Sequence, residues 1–204
     1  MTSDFTHKFV PSNGSGMTLL LLHGTGGDEN DLLPIGRALA PGAALLSPRG
    51  KVLEHGMPRF FRRLSEGVFD LEDVRFRANE LAEFVREAAR EYRFDPAGIF
   101  ALGYSNGANI AAVELLMHPD LLAGAVLFRS MFAFEPEKIP RLDATPVLMV
   151  SGRHDPVATP AAAERLAALL AGAGAKVEVQ WRESGHELTP EDFQAGKKWL
   201  AEYL

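Results

Sequence analysis

GIFALGYSNGANIAAVELL, residues 98–116, is an apolar run that reaches a serine and continues as a helical pattern. Its first seven residues have the length and consecutive apolarity of a strand buried on both faces. Ile110, Val113 and Leu116 then recur at steps of three, so a helix opens directly after Ser105. Between the two, Gly103-Tyr104-Ser105-Asn106-Gly107 fits G-x-S-x-G. In so sharp a strand-to-helix turn the central residue takes a strained backbone, and the flanking glycines relieve crowding between strand and helix. The helix N-terminus also sets backbone N–H groups and a partial positive charge beside the serine oxygen. The motif alone is common by chance; the strand before it and the helix after it make Ser105 a candidate nucleophile.

Outward from this turn, short apolar runs alternate with helical patterns. The runs are 17–23, 43–48, 98–104, 121–128, 145–152 and 175–181, and residues 5–10 add an edge strand. Strands alternating with helices predict a mainly parallel sheet with crossover helices. Leu71, Val74, Ala78, Leu81, Val85 and Ala88 form one apolar stripe of a long helix. Ala163, Leu166, Ala167 and Leu170 repeat the pattern in a helix ended by the Gly172/Gly174 stretch. Thr189-Pro190-Glu191-Asp192 reads as an N-cap, a first-turn proline and an acid three residues on, opening a final helix. No repeat or linker divides the chain, so residues 1–204 are expected to form a single domain.

Composition narrows the function classes. A net charge of −6 opposes a general nucleic-acid role, because phosphate binding needs a basic face. With no cysteine there is no disulfide, thiolate metal site or cysteine nucleophile. MTSDFTHKFV carries an acid at Asp4 and no apolar stretch of signal-peptide length, and no run approaches a membrane span, so membrane insertion is not expected and the cytoplasm is the expected location.

A serine hydroxyl is a poor nucleophile at neutral pH and needs a general base, itself oriented by a carboxylate. Where this turn is used, the acid and then the histidine follow in chain order, each on a loop after a later strand. Asp155 follows the run at 145–152, and His186 lies between the run at 175–181 and the final helix. Both fall where loops at the C-terminal ends of the strands converge. His154 would point elsewhere on the same loop as Asp155. His118 lies at a helix end, His7 and His55 lack a strand-to-loop setting, and Asp143 lies before its strand.

Acyl transfer also needs donors aimed at the developing oxyanion. His23-Gly24-Thr25-Gly26-Gly27 ends the first apolar strand, and the hole is assigned to the backbone N–H groups of Thr25 and Asn106. A dinucleotide fingerprint would need glycine where Glu29 stands, and no phosphate-loop motif occurs. His23 is expected to hold the donor loop rather than to act as a second catalytic histidine. The long connection 49–69 lacks clear periodicity. Its Arg59, Arg62 and Arg63 are taken as solvated loop charges in preference to a basic pocket rim, whereas Met57, Phe60, Met131 and Phe132 are expected to contact substrate.

With these residues placed, the chain resembles the small α/β-hydrolases of the phospholipase/carboxylesterase group, which also holds acyl-protein thioesterases and a bacterial hydroquinone-esterase branch. The resemblance runs through HGTGGDENDL (23–32), SPRG (47–50), PRFFRRLSEGVFD (58–70), GYSNGA (103–108), GRHDPV (152–157) and GHEL (185–188), in that order. Segment 58–70 is especially similar to the hydroquinone-esterase branch. The resemblance implies a three-layer α/β-hydrolase fold, helices on both faces of the sheet and no lid domain. It also implies hydrolysis without metal or cofactor, with Ser105, Asp155 and His186 at the triad positions and Thr25 and Asn106 at the oxyanion positions. Many members carry glutamine where Asn106 stands; a backbone donor tolerates the change, while the pocket shape differs. The related dienelactone hydrolases use a cysteine, which this chain lacks.

The expected activity is that of a serine carboxylesterase cleaving short- to medium-chain acyl esters, aryl esters included, through an acyl-enzyme. Its partner is a small-molecule ester; a homodimer stays open. The alternatives are a thioesterase or lysophospholipase-type hydrolase, and a non-catalytic small-molecule receptor on the same fold.

Overall fold

The computed structural model describes residues 5–204. Residues 1–4, part of the N-terminal stretch read for a signal peptide, lie outside them. In chain order the strands are β1 (His7–Val10), β2 (Thr18–Leu22), β3 (Ala44–Pro48), β4 (Val52–Glu54), β5 (Met57–Arg59), β6 (Arg63–Ser65), β7 (Val68–Phe69), β8 (Ile99–Tyr104), β9 (Gly124–Phe128), β10 (Pro146–Gly152) and β11 (Lys176–Arg182). The α-helices are α1 (Leu33–Leu39), α2 (Leu71–Tyr92), α3 (Asn106–Met117), α4 (Pro160–Gly172) and α5 (Pro190–Leu200).

Seven strands pair in the order β1-β3-β2-β8-β9-β10-β11. Only the β1–β3 edge pairing is antiparallel; the other five are parallel. Because successive side chains of a strand point to opposite faces, a wholly apolar strand feeds two cores at once. Leu20 and Leu22 of β2 pack with Val85, Val113 and Leu166, from α2, α3 and α4. Leu19 and Leu21 pack on the other face with Leu39 of α1 and Trp199 of α5. This is the three-layer α/β-hydrolase arrangement that the sequence implied. Among the described residues, no helix is long and apolar enough to cross a membrane.

The expected helical stripes hold with two edge effects. Val74, Ala78, Leu81, Val85 and Ala88 of α2 are buried, while Leu71 is 46% exposed because the helix only begins there, its first turn capped by the Asp70 carboxylate. In α4, Ala163, Leu166 and Leu170 are buried and Ala167 sits half-buried at the edge of the stripe. At α5 the Asp192 carboxylate accepts the Thr189 backbone N–H at 2.8 Å, the acid half of the anticipated cap. Helix α1 has no counterpart in the sequence reading; its seven residues are too few to show a periodic stripe.

Segment 49–69 is not irregular. It folds as two antiparallel hairpins, β4–β5 and β6–β7, whose strands of two or three residues are too short to alternate visibly. Phe60, expected at the substrate, and its neighbour Phe61 are buried in the core with Val74 and Ala78 of α2.

Candidate active site

Strand β8 and helix α3 meet at Ser105, whose backbone angles are φ 52° and ψ −115°, a region that non-glycine residues rarely occupy. The turn is held because the Ser105 N–H donates to the Phe128 carbonyl of β9 at 2.9 Å. A side chain at Gly107 would overlap the Leu22 carbonyl of β2, and one at Gly103 would meet the Ala108 backbone. The two glycines thus let helix and sheet close around the serine.

Asp155 lies in the turn after β10 and is buried. Its Oδ1 accepts the N–H groups of Val157 and Ala158 at 2.8 and 2.9 Å, which leaves Oδ2 to accept from His186 Nδ1 at 2.8 Å. Since a carboxylate only accepts, the ring proton sits on Nδ1 and Nε2 is the acceptor. That acceptor stands 2.8 Å from Ser105 Oγ. The rival histidines lie elsewhere: His154 is exposed and faces Glu183, His118 is near Glu114, and His7 bonds the Tyr92 hydroxyl.

Two side chains that the sequence reading missed hold the His186 loop. The Tyr104 hydroxyl donates to the His186 carbonyl at 3.1 Å, and burial raises the phenol pKa above its ordinary value. Arg129, just past β9, is wholly buried and donates to Gly185 O at 3.0 Å, Glu187 O at 2.8 Å and Ser184 Oγ at 3.1 Å. Arginine in an apolar stretch was the available signal, since a lone charge there needs a buried partner.

Thr25 and Asn106 both line the cavity at Ser105. Among the described residues, neither backbone N–H has a protein acceptor. His23 supports their loop as expected: Nδ1 donates to Gly24 O at 2.7 Å and Nε2 accepts the Gly50 N–H at 2.9 Å. Burial holds its pKa below the ordinary histidine value, consistent with a neutral ring bonded at both nitrogens.

The cavity has a volume of about 180 Å3. Of the four expected substrate contacts, Met131 lines it and Met57, Phe60 and Phe132 do not. Phe60 packs on His23 with ring centroids 4.7 Å apart, and its N–H donates to Asn106 Oδ1 at 2.7 Å. Phe132 lies under the Arg165 guanidinium, 3.8 Å away, while Met57 sits half-exposed beside Gly26. The expectation for the loop charges also fails at two positions, since both Arg59 and Arg63 line the cavity. Arg59 is 3% exposed, lines the cavity and donates from Nη1 to Thr25 Oγ1 at 2.7 Å.

The model of a family described as TAP-like protein matches residues 132–204, a stretch containing Asp155 and His186. Over 186 residues the chain is 46% identical to MhqD of Bacillus subtilis, a protein named as a hydrolase, covering 91% of this chain and 93% of that one. The chain belongs to the phospholipase/carboxylesterase-like α/β-hydrolases. A carboxylesterase of Bacillus cereus superposes on it with a TM-score of 0.95 at 45% identity, covering 98% of this chain and 95% of the other. For a carboxylesterase of Mesorhizobium loti the values are 0.87, 31%, 93% and 90%. As an α/β-hydrolase of this family, the chain is a hydrolase of the carboxylesterase type.

Proposed function

We propose that the protein is a serine carboxylesterase for short acyl esters, with Ser105 as nucleophile. The hydrogen-bonded series Asp155–His186–Ser105, each link 2.8 Å, carries the reading. Ser105 Oγ attacks the ester carbonyl carbon as His186 Nε2 takes the hydroxyl proton, and Asp155 stabilises the imidazolium. The carbonyl oxygen, now anionic, accepts the N–H groups of Thr25 and Asn106, aided by the N-terminus of α3. Collapse expels the alcohol, which takes its proton from His186, and leaves an acyl-serine. Water then attacks the acyl carbon by the same route and regenerates Ser105 with release of the acid.

The small cavity supports short acyl groups and disfavours the thioesterase or lysophospholipase alternative, which needs a long apolar channel. The complete series of three groups disfavours a receptor, which has less need of a base beside the serine. Purified protein should hydrolyse p-nitrophenyl acetate or butyrate and be labelled at Ser105 by a fluorophosphonate. Ser105→Ala should lower kcat by about 10⁴-fold or more; full turnover in that variant would overturn the assignment.

A further inference from the structure

One wall of the cavity beside Ser105 is cationic. Arg59 and Arg63 both line it, and one carboxylate, Glu54, pairs with both, at 3.3 and 2.8 Å. Two guanidiniums against one carboxylate leave a positive charge over. Of the other charged groups lining the cavity, Arg129 pairs with Asp192 at 2.7 Å, a carboxylate shared with Arg182, and Glu66 is exposed, where water and salt screen it.

Arg59 is the buried member of the pair. Its Nε points to Phe61 O at 3.3 Å and its Nη1 donates to Thr25 Oγ1, but Nη2 donates to no described residue and is not sealed from the cavity. A second free donor lies on the same cavity. Asn109 Oδ1 accepts the Met131 N–H at 2.8 Å, and because a backbone N–H fixes the amide orientation, Nδ2 is the end left open. Neither donor has a protein acceptor among the described residues and neither is sealed from solvent, so a group rich in acceptor oxygens can take the place of water on this wall. Phe69, Met131 and Val157 make another part of the lining apolar. A cavity of about 150 Å3 suffices for benzene, so this one has room for a single ring or a short chain.

We propose that the wall binds a carboxylate of the substrate, so that the preferred esters are small and anionic, with Arg59 as the anchor. The planar guanidinium suits a carboxylate better than a neutral acceptor. The proposal rests on the hydrolase reading of Ser105 for its consequence, while the binding itself does not need turnover.

The test therefore begins with binding. In Ser105→Ala protein, titration calorimetry compares benzoate with benzamide; benzoate should bind at least about tenfold more tightly. Adding Arg59→Met should bring the two together, and Arg59→Lys should keep only part of the preference. Equal binding of benzoate and benzamide, or a preference that survives R59M, overturns the proposal. Should R59M not fold, an undiminished preference in R59K overturns Arg59 as the anchor.

Turnover by the wild-type enzyme then locates the carboxylate. Comparing p-acetoxybenzoate with p-acetoxybenzamide places it on the alcohol side, and p-nitrophenyl hydrogen adipate with p-nitrophenyl methyl adipate places it on the acyl side. In one pair kcat/KM should favour the anion by about tenfold, and R59M should abolish that ratio. Because Arg59 also holds Thr25, the ratio is the readout and not the rate alone. Ratios near one in both pairs overturn the substrate class. Benzoate preference in a protein that cleaves no ester would overturn the hydrolase reading and leave the anion site standing.

Discussion

Arg129 and Asp192 form a wholly buried ion pair, Nη2 to Oδ2 2.7 Å, that joins the end of β9 to the first turn of α5 directly beneath the His186 loop. The guanidinium also donates to that loop and, from Nη1, to the Val150 carbonyl of β10 at 3.2 Å, and Asp192 also caps α5. One pair thus sets both ends of the segment carrying His186. Replacing Arg129 by Met leaves Asp192 its longer contact to Arg182, Nε to Oδ1 3.3 Å, and removes the bonds to the His186 loop, at a cost of about 3 kcal/mol. Thermal unfolding should record a lower Tm. At temperatures where the variant is folded, kcat should fall by more than KM rises, because the His186 loop loses its Arg129 bonds while the rest of the cavity lining stays in place. An unchanged Tm and kcat would remove the role assigned to this pair.

Asp155→Asn should keep the fold and lose about 10⁴-fold in kcat, the size found in the best-studied triad. An asparagine that turns its NH2 toward His186 makes Nδ1 the acceptor and moves the ring proton to Nε2, which then cannot take the Ser105 proton. Circular dichroism and ester turnover measured together separate this from unfolding.

Among the described residues, Glu114 on the buried helix α3 has no hydrogen-bond partner for either oxygen, and desolvation raises its pKa well above the ordinary 4.5. The nearby His118 is itself shifted down by burial, so it offers no compensating charge. The folded protein therefore holds this proton more tightly than the unfolded chain does. That contribution to stability is complete below about pH 4.5 and is lost as pH rises through the folded pKa. Glu114→Gln should unfold with a weaker pH dependence and, at pH 8, be more stable by about 1 kcal/mol or more. Parallel denaturation curves for wild type and variant across pH 4 to 8, on the order of that range, would count against a buried neutral carboxyl.

Glycines at Gly107 and Gly172 predict opposite outcomes. A Cβ at Gly107 meets the Leu22 backbone, which cannot yield, so Gly107→Ala should cost about 3 kcal/mol or more and remove activity. Gly172, at the end of α4, has open space around it and no left-handed φ. Gly172→Ala should stabilise by about 0.4–1 kcal/mol with activity unchanged. Chemical denaturation of the two variants side by side reads the difference.

Much of this molecule was legible in one dimension because its signals are local or periodic. Six runs gave six parallel strands, five because a strand buried on both faces is apolar almost throughout and β11 because an edge strand alternates polar with apolar residues. The order serine, acid, histidine after successive strands placed Ser105, Asp155 and His186 at one end of the sheet, and the structure brings them within hydrogen-bonding distance. The Thr189–Asp192 cap was legible because a cap and its helix are neighbours in the chain.

What the sequence by itself determined, then, was the main sheet, the helices α2 to α5 and the chain order of the three groups at the serine. Only the tertiary structure decided which charges are buried. Arg59 sits among loop residues of similar type, yet it closes on Thr25, 34 positions away, and Arg129 closes on Asp192, 63 positions away. It also withdrew Phe60 and Phe132 from the cavity and left Met131 in it. The reason is physical: strand and helix patterns repeat along the chain at fixed periods, whereas the partner of a buried charge and the wall of a cavity depend on which loops meet in space.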